Sequence, residues 1–221
     1  MKKREKENKI KILIMWGIAA LMFVVTLIIY PKLPAQMATH WNGNFKVDGF
    51  EPRFWGAFII PFMTVGIIPL MLILPKIDPL RRNDADYYRN FLDFMVAFTG
   101  FLFIVQLFVL LYNIGIKFNM NALVSVLIGF LYYFIGVILT RVKQNWFMGI
   151  RTPWTLSSKT VWEKTNRLGS VLFKICAVIS MFGAIFNKYS ALFVGVPVLI
   201  AGVYLVIYSY REYQKEIAKE K

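Results

Sequence analysis

Apolar residues arrive in six long runs, and polar residues gather in the gaps between them. The runs are Ile12–Tyr30, Phe54–Leu74, Phe91–Tyr112, Asn121–Thr140, Leu168–Phe186 and Ser190–Tyr210. Each is close to the ~20 residues that carry a helix across ~30 Å of hydrocarbon. A helix satisfies its own backbone in lipid, so each run predicts a membrane-spanning helix. A transmembrane barrel needs alternating polarity over ~10-residue strands, and no run alternates. The pattern therefore reads as an all-α membrane protein, a bundle of six transmembrane helices. It divides into a helical hairpin with its loop at 1–75, a linking loop and third span at 76–120, and a C-terminal module at 121–221. The first run exceeds the apolar core of a secretory signal and no A-x-A-like site follows, so it predicts an uncleaved anchor.

Lys and Arg are unevenly shared between the gaps. Six lie in the N-terminal tail, four after the second run, six after the fourth and four in the C-terminal tail; the alternate gaps hold five. The positive-inside rule then predicts both termini and the 141–167 loop on the cytoplasmic side, with 31–53 outside. Composition agrees. The chain is 58% hydrophobic and 17% charged, against about 25% charged for a soluble domain. Its net charge of +14 would suggest nucleic acid in a soluble protein. Here topology absorbs the surplus, and no direct nucleic-acid contact is expected.

The two longest gaps carry the polar information. In the outer one, Pro31 and Pro34 stop the first helix, and Asn42-Gly43 and Asp48-Gly49 mark turns, so a turn-rich loop is expected. His40, Asn42 and Asp48 either converge as a polar site or bond their own turns. In the inner one, Gly149 and Pro153 break any helix across Trp146–Trp154. Ser157 or Ser158 is placed to cap a short interfacial helix that leads into the fifth span, and Thr160 with Glu163 has capping-box spacing. This loop reads either as an interfacial tryptophan belt or as a docking surface for a cytoplasmic partner.

Asp93 and Lys174 are the ionisable side chains within the runs, and Gln106 is the polar one near mid-membrane. Asp93 and Lys174 sit roughly 4–5 Å and 9 Å from the cytoplasmic ends of their helices. Both can therefore snorkel, and a direct Asp93–Lys174 ion pair is one arrangement open to them. Stripes of small residues, such as Ser125, Gly129 and Gly136, allow close helix approach. Pro61, Pro69 and Pro197 are expected to kink their helices. With one cysteine and one histidine, a metal cluster is excluded and no cofactor is expected. No nucleophile–base set, Walker loop or HExxH appears, so the chain does not read as an enzyme.

The run Gly149–Gly169, GIRTPWTLSSKTVWEKTNRLG, resembles the hallmark of the SdpI family of bacterial membrane immunity proteins. Gly149, Ile150, Arg151, Thr152, Pro153, Trp154 and Thr155 match it, followed by Val161, Trp162, Asn166 and Arg167. The outer loop is similar to the small domain of unknown function that often precedes that module, at Leu33, Pro34, His40, Trp41, Asn42, Gly43, Asp48 and Gly49. The resemblance implies protection against a secreted antimicrobial peptide toxin. It also implies a second role, in which the protein holds an ArsR-type autorepressor at the membrane. On that reading the outer-loop residues meet the toxin and the inner-loop residues pass on the signal, with membrane lipid as the remaining partner. A small-solute or ion transporter, resting on Asp93, Gln106 and Lys174, is the alternative.

Overall fold

A computed structural model describes residues 2–42, 46–81, 84–116 and 118–220. Among the described residues, seven α-helices form: α1 (Lys2–Ile29), α2 (Arg53–Ile77), α3 (Ala85–Asn113), α4 (Met120–Leu139), α5 (Pro153–Ser157), α6 (Lys159–Phe182) and α7 (Ser190–Glu220). All but α5 are long and apolar enough to cross a membrane. Several outrun their apolar runs. Helix α1 starts ten residues before Ile12, and α7 continues ten residues past Tyr210. Their polar ends contain mostly strong helix formers such as Lys, Glu and Gln, so the helix continues beyond the hydrocarbon. Helix α2 runs unbroken through Pro61 and Pro69, and α7 through Pro197.

The all-α expectation is corrected between α1 and α2. The segment forms an antiparallel ribbon of β1 (Gln36–Trp41) and β2 (Val47–Pro52), with irregular register at Ala38/His40 and His40/Trp41. Sequence patterning hides it because Asp, Gly, Glu and Pro in β2 disfavour strands and the irregularity breaks the alternation. Tertiary contacts impose the ribbon instead. Met37 and Leu33 are buried against Ala57, Phe58, Val109 and Leu110.

The chain packs as two compact units. One comprises Met1–Ile73 with Leu92–Met120, and the other Leu74–Phe91 with Asn121–Lys221. In the first unit, the Asn113 carboxamide at the end of α3 holds β1. Its Oδ1 accepts from Ala38 N–H at 2.8 Å and its Nδ2 donates to Ala38 C=O at 2.9 Å. Helix α3 then stops in a Schellman motif. Gly115 takes φ +92°, and Ile116 N–H donates to Leu111 C=O at 3.1 Å. Asn113→Ala orphans both Ala38 groups, at about 1–3 kcal/mol for each unpaired buried group. It is expected to release the ribbon with α1–α3 intact, read as new proteolytic cleavage within 36–52. In the second unit, α4 and α6 approach through the small-residue stripe. A Cβ on Gly129 would lie 3.0 Å from Ala177 C=O, and one on Gly136 would lie 2.9 Å from Ser170 C=O.

Candidate functional site

The loop from α4 to α6 is built around uncharged polar side chains used as clamps. Thr152 opens α5. Its hydroxyl accepts from Thr155 N–H at 3.2 Å, and the Thr155 hydroxyl accepts from Thr152 N–H at 2.8 Å. This reciprocal box sits one helix earlier than the Thr160–Glu163 spacing suggests, with Pro153 at the first helical position, where it lacks nothing. Helix α6 is capped by Ser158, which accepts from Val161 N–H at 3.2 Å. The short helix expected after Ser158 and the fifth apolar run are thus one continuous helix, Lys159–Phe182.

Trp162 and Asn166 face the loop from the first turns of α6. Trp162 is 1% exposed, and its Nε1–H donates to Val142 C=O at 3.1 Å. Asn166 accepts from Ile150 N–H at 2.9 Å and donates to Trp162 C=O at 3.0 Å. Gly149 passes between them with φ +119°; a Cβ there would stand 2.8 Å from the Trp162 ring and 2.9 Å from Asn166 Oδ1. On the opposite side, Asn145 Oδ1 accepts from Phe147 and Met148 N–H at 2.8 and 2.6 Å. Gln144 Nε2 donates to the Thr155 and Leu156 carbonyls, each at 2.8 Å.

The segment between α2 and α3 completes the frame. Asp78 is fully buried. Its carboxylate accepts from Leu80 N–H (2.9 Å), Trp146 N–H (2.9 Å) and the Tyr87 hydroxyl (3.2 Å). Arg81 Nε donates to Gln144 C=O at 2.8 Å. Burial pushes the nearby Asp84 carboxyl up. The Tyr87 and Asp86 amides and the charges of Lys143 and Arg81 outweigh that and hold it below the ordinary carboxylate range. A lowered folded pKa stabilises above the unfolded value of about 3.9, and that contribution is lost as pH falls through the folded value. Asp84→Asn is expected to flatten this acid limb of thermal stability below pH 4, measured by unfolding across pH 2–6.

Of the inner-loop residues singled out from sequence, Thr152, Val161, Trp162 and Asn166 are buried, and Gly149 and Trp154 are half-buried. Thr152 also donates to Ser209 on α7 at 3.0 Å, and Trp154 packs on Tyr210 with ring centroids 5.1 Å apart. Arg151, Pro153 and Arg167 are exposed; Arg151 Nη1 donates to Trp146 C=O at 2.5 Å. The hallmark therefore builds a hydrogen-bonded plate whose exposed residues include the cations Arg151 and Arg167. Sequence reasoning missed Asp78, Gln144, Asn145, Ser209 and Glu212. Glu212 is the buried acid that receives Lys164 and Lys215, both at 2.7 Å. The available signal was an uncharged or acidic residue inside otherwise basic segments.

In the ribbon, His40 Nδ1 meets Asp48 Oδ1 at 2.6 Å, and both side chains are exposed. Asn42 closes its own turn, with Oδ1 accepting from Lys46 N–H at 3.1 Å. Trp41 packs edge-on against Tyr112, centroids 5.3 Å apart. At Gly49 a Cβ would stand 2.8 Å from His40 Cβ, which explains the glycine. Gly43 lies outside the described residues. The ribbon thus holds His40 and Asp48 together as a pair, whereas Asn42 serves its turn.

Asp93 finds its cation in Lys11 of α1, at 2.5 Å, where the sequence offered Lys174. Helix α1 extends far enough into its polar tail to supply it. Lys174 is half-buried beside Gly136. Gln106 ties three helices by donating to Thr26 Oγ1 (3.0 Å) and Ala57 C=O (2.8 Å), an interhelical clamp of the kind common in membrane bundles.

Residues 141–209, from the loop through most of α7, match the SdpI/YfhL protein family. Residues 17–65, which contain the ribbon, match a domain of unknown function, DUF1648. The chain is also 29% identical over 211 residues to "Immunity protein SdpI" of Bacillus subtilis (strain 168), covering 95% of this chain and 97% of that one. The chain resembles the SdpI/YfhL family in its C-terminal part. The SdpI-type module thus contains the whole clamp system from Gln144 to Asn166, together with its α7 anchor, Ser209. No solved structure matches the chain.

Proposed function

We propose that this protein is a multi-pass membrane immunity protein that protects its cell against a secreted antimicrobial peptide. The observation that carries the reading is the near end-to-end similarity to the Bacillus subtilis immunity protein, which spans both the ribbon and the clamped loop. The cationic imbalance supports both termini in the cytoplasm, with the ribbon outside and the RTPW loop inside. The toxin then meets the ribbon, at His40, Trp41, Asn42, Asp48 and Gly49.

The inner plate is the docking face for a cytoplasmic repressor. Arg151 and Lys159 on its exposed side attract an acidic partner surface. Toxin must bind one arrangement of the protein better than another to change that face. The experiment is survival of a toxin-sensitive strain challenged with the peptide secreted by the producing strain, with and without this gene. Protection is expected, and equal killing overturns the immunity reading. Repressor docking is tested separately by imaging: Arg151→Ala is expected to lower recruitment to the membrane without lowering protein abundance. Unchanged recruitment in Arg151→Ala and in Lys159→Ala removes the docking role.

A further inference from the structure

Beside the clamped loop lies an open cleft of about 430 Å³ between the end of α4 and the first turns of α6. Its apolar floor is Leu139 and Val142, with Thr140 next to them; its rim is Glu163, Lys164 and Arg167. The Asn166 amide also lines it but is committed to Ile150 and Trp162. The depth of this cleft is marked by both helices. Helix α4 ends at Leu139, the apolar part of α6 begins at Leu168, and a Cβ on Gly169 would lie 3.3 Å from Leu139 Cδ1. The cleft therefore opens where hydrocarbon gives way to headgroups.

Its rim is chemically unfinished. Arg167 is exposed and has no ion pair among the described residues. Lys164 gives one bond to Glu212 and keeps further donors. Residues 141–167 carry six cations against the single carboxylate of Glu163, so the field favours a ligand with net negative charge.

We propose that this cleft binds the headgroup of an anionic phospholipid, phosphatidylglycerol. Arg167 and Lys164 take the phosphodiester oxygens, Arg167 as a planar fork. The Glu163 carboxylate accepts from the glycerol hydroxyls, and Leu139 with Val142 seats the start of the acyl chains. This site is independent of what the ribbon binds.

The test uses the full chain in non-ionic detergent. Thermal unfolding is followed with added phosphatidylglycerol, phosphatidylethanolamine, phosphatidylcholine or sodium phosphate, and retained lipid is counted by native mass spectrometry. Phosphatidylglycerol is expected to stabilise most and to remain bound. Arg167→Gln, at an exposed unpaired position, should bind it about tenfold more weakly, as for one lost charge-assisted bond. Arg167→Lys should recover part of that loss, and Lys188→Gln, outside the cleft, should bind the lipid as the parent does. Equal stabilisation by all three lipids overturns the proposal. So does preference for phosphatidylethanolamine, an equal effect of sodium phosphate, or phosphatidylglycerol binding that survives Arg167→Gln.

Discussion

Gly149→Ala is expected to unfold the loop between α4 and α6 while leaving α1–α3 in place. Two costs coincide there. The backbone has φ +119°, which an L side chain rarely adopts, at about 1–3 kcal/mol. The new methyl would also stand 2.8 Å from the Trp162 ring and 2.9 Å from Asn166 Oδ1. Neither neighbour is free to retreat, because Trp162 donates to Val142 C=O and Asn166 holds Ile150 and Trp162. Overpacking of this kind adds about 1–3 kcal/mol. The sum is on the order of 3 kcal/mol, or roughly 10 °C in Tm for a chain of this size. Thermal unfolding and protease sensitivity at 143–158 measure it. A Tm within a degree of the parent contradicts the clamped geometry.

Trp162→Ala is the second large effect, expected to cost about 3–5 kcal/mol as a large buried side chain is removed. It also leaves Val142 C=O without its donor. This variant should be scarce in the membrane, losing protection and repressor recruitment together. Arg151→Ala should differ, because its side chain lies on the exposed face and contributes a single bond to Trp146 C=O. It keeps abundance and loses recruitment alone. If Trp162→Ala is as abundant and heat-stable as the parent, the tryptophan is not the pillar described here.

The membrane helices were legible because hydropathy over ~20 residues is a strong local signal. Their true ends were not. The polar extensions of α1 and α7 carry no hydropathic mark and are held by helix propensity and by pairs such as Lys11–Asp93 and Lys164–Glu212. The ribbon was illegible for a different reason. Its strands are poor by composition, and its anchor, Asn113, lies 75 residues from Ala38. The position of the RTPW hallmark was plain in the sequence, but its physical role was not. Which of Thr152, Trp162 and Asn166 point inward depends on the turn at Gly149 and on Asp78 and Gln144, which reach the loop from outside the motif or from its edge. The consequence is functional: the most recognisable residues hold the plate together, and less distinctive cations face the solvent.

The division of labour between the ribbon and the plate requires them to lie on opposite sides of the membrane. Cys176 is buried and is the sole native cysteine, so single new thiols report cleanly. Lys46→Cys and Ser157→Cys place one thiol at an exposed position in each segment. In intact cells a membrane-impermeant maleimide should label position 46 at once and position 157 only after permeabilisation. Labelling of position 157 in intact cells, with position 46 protected, contradicts the account.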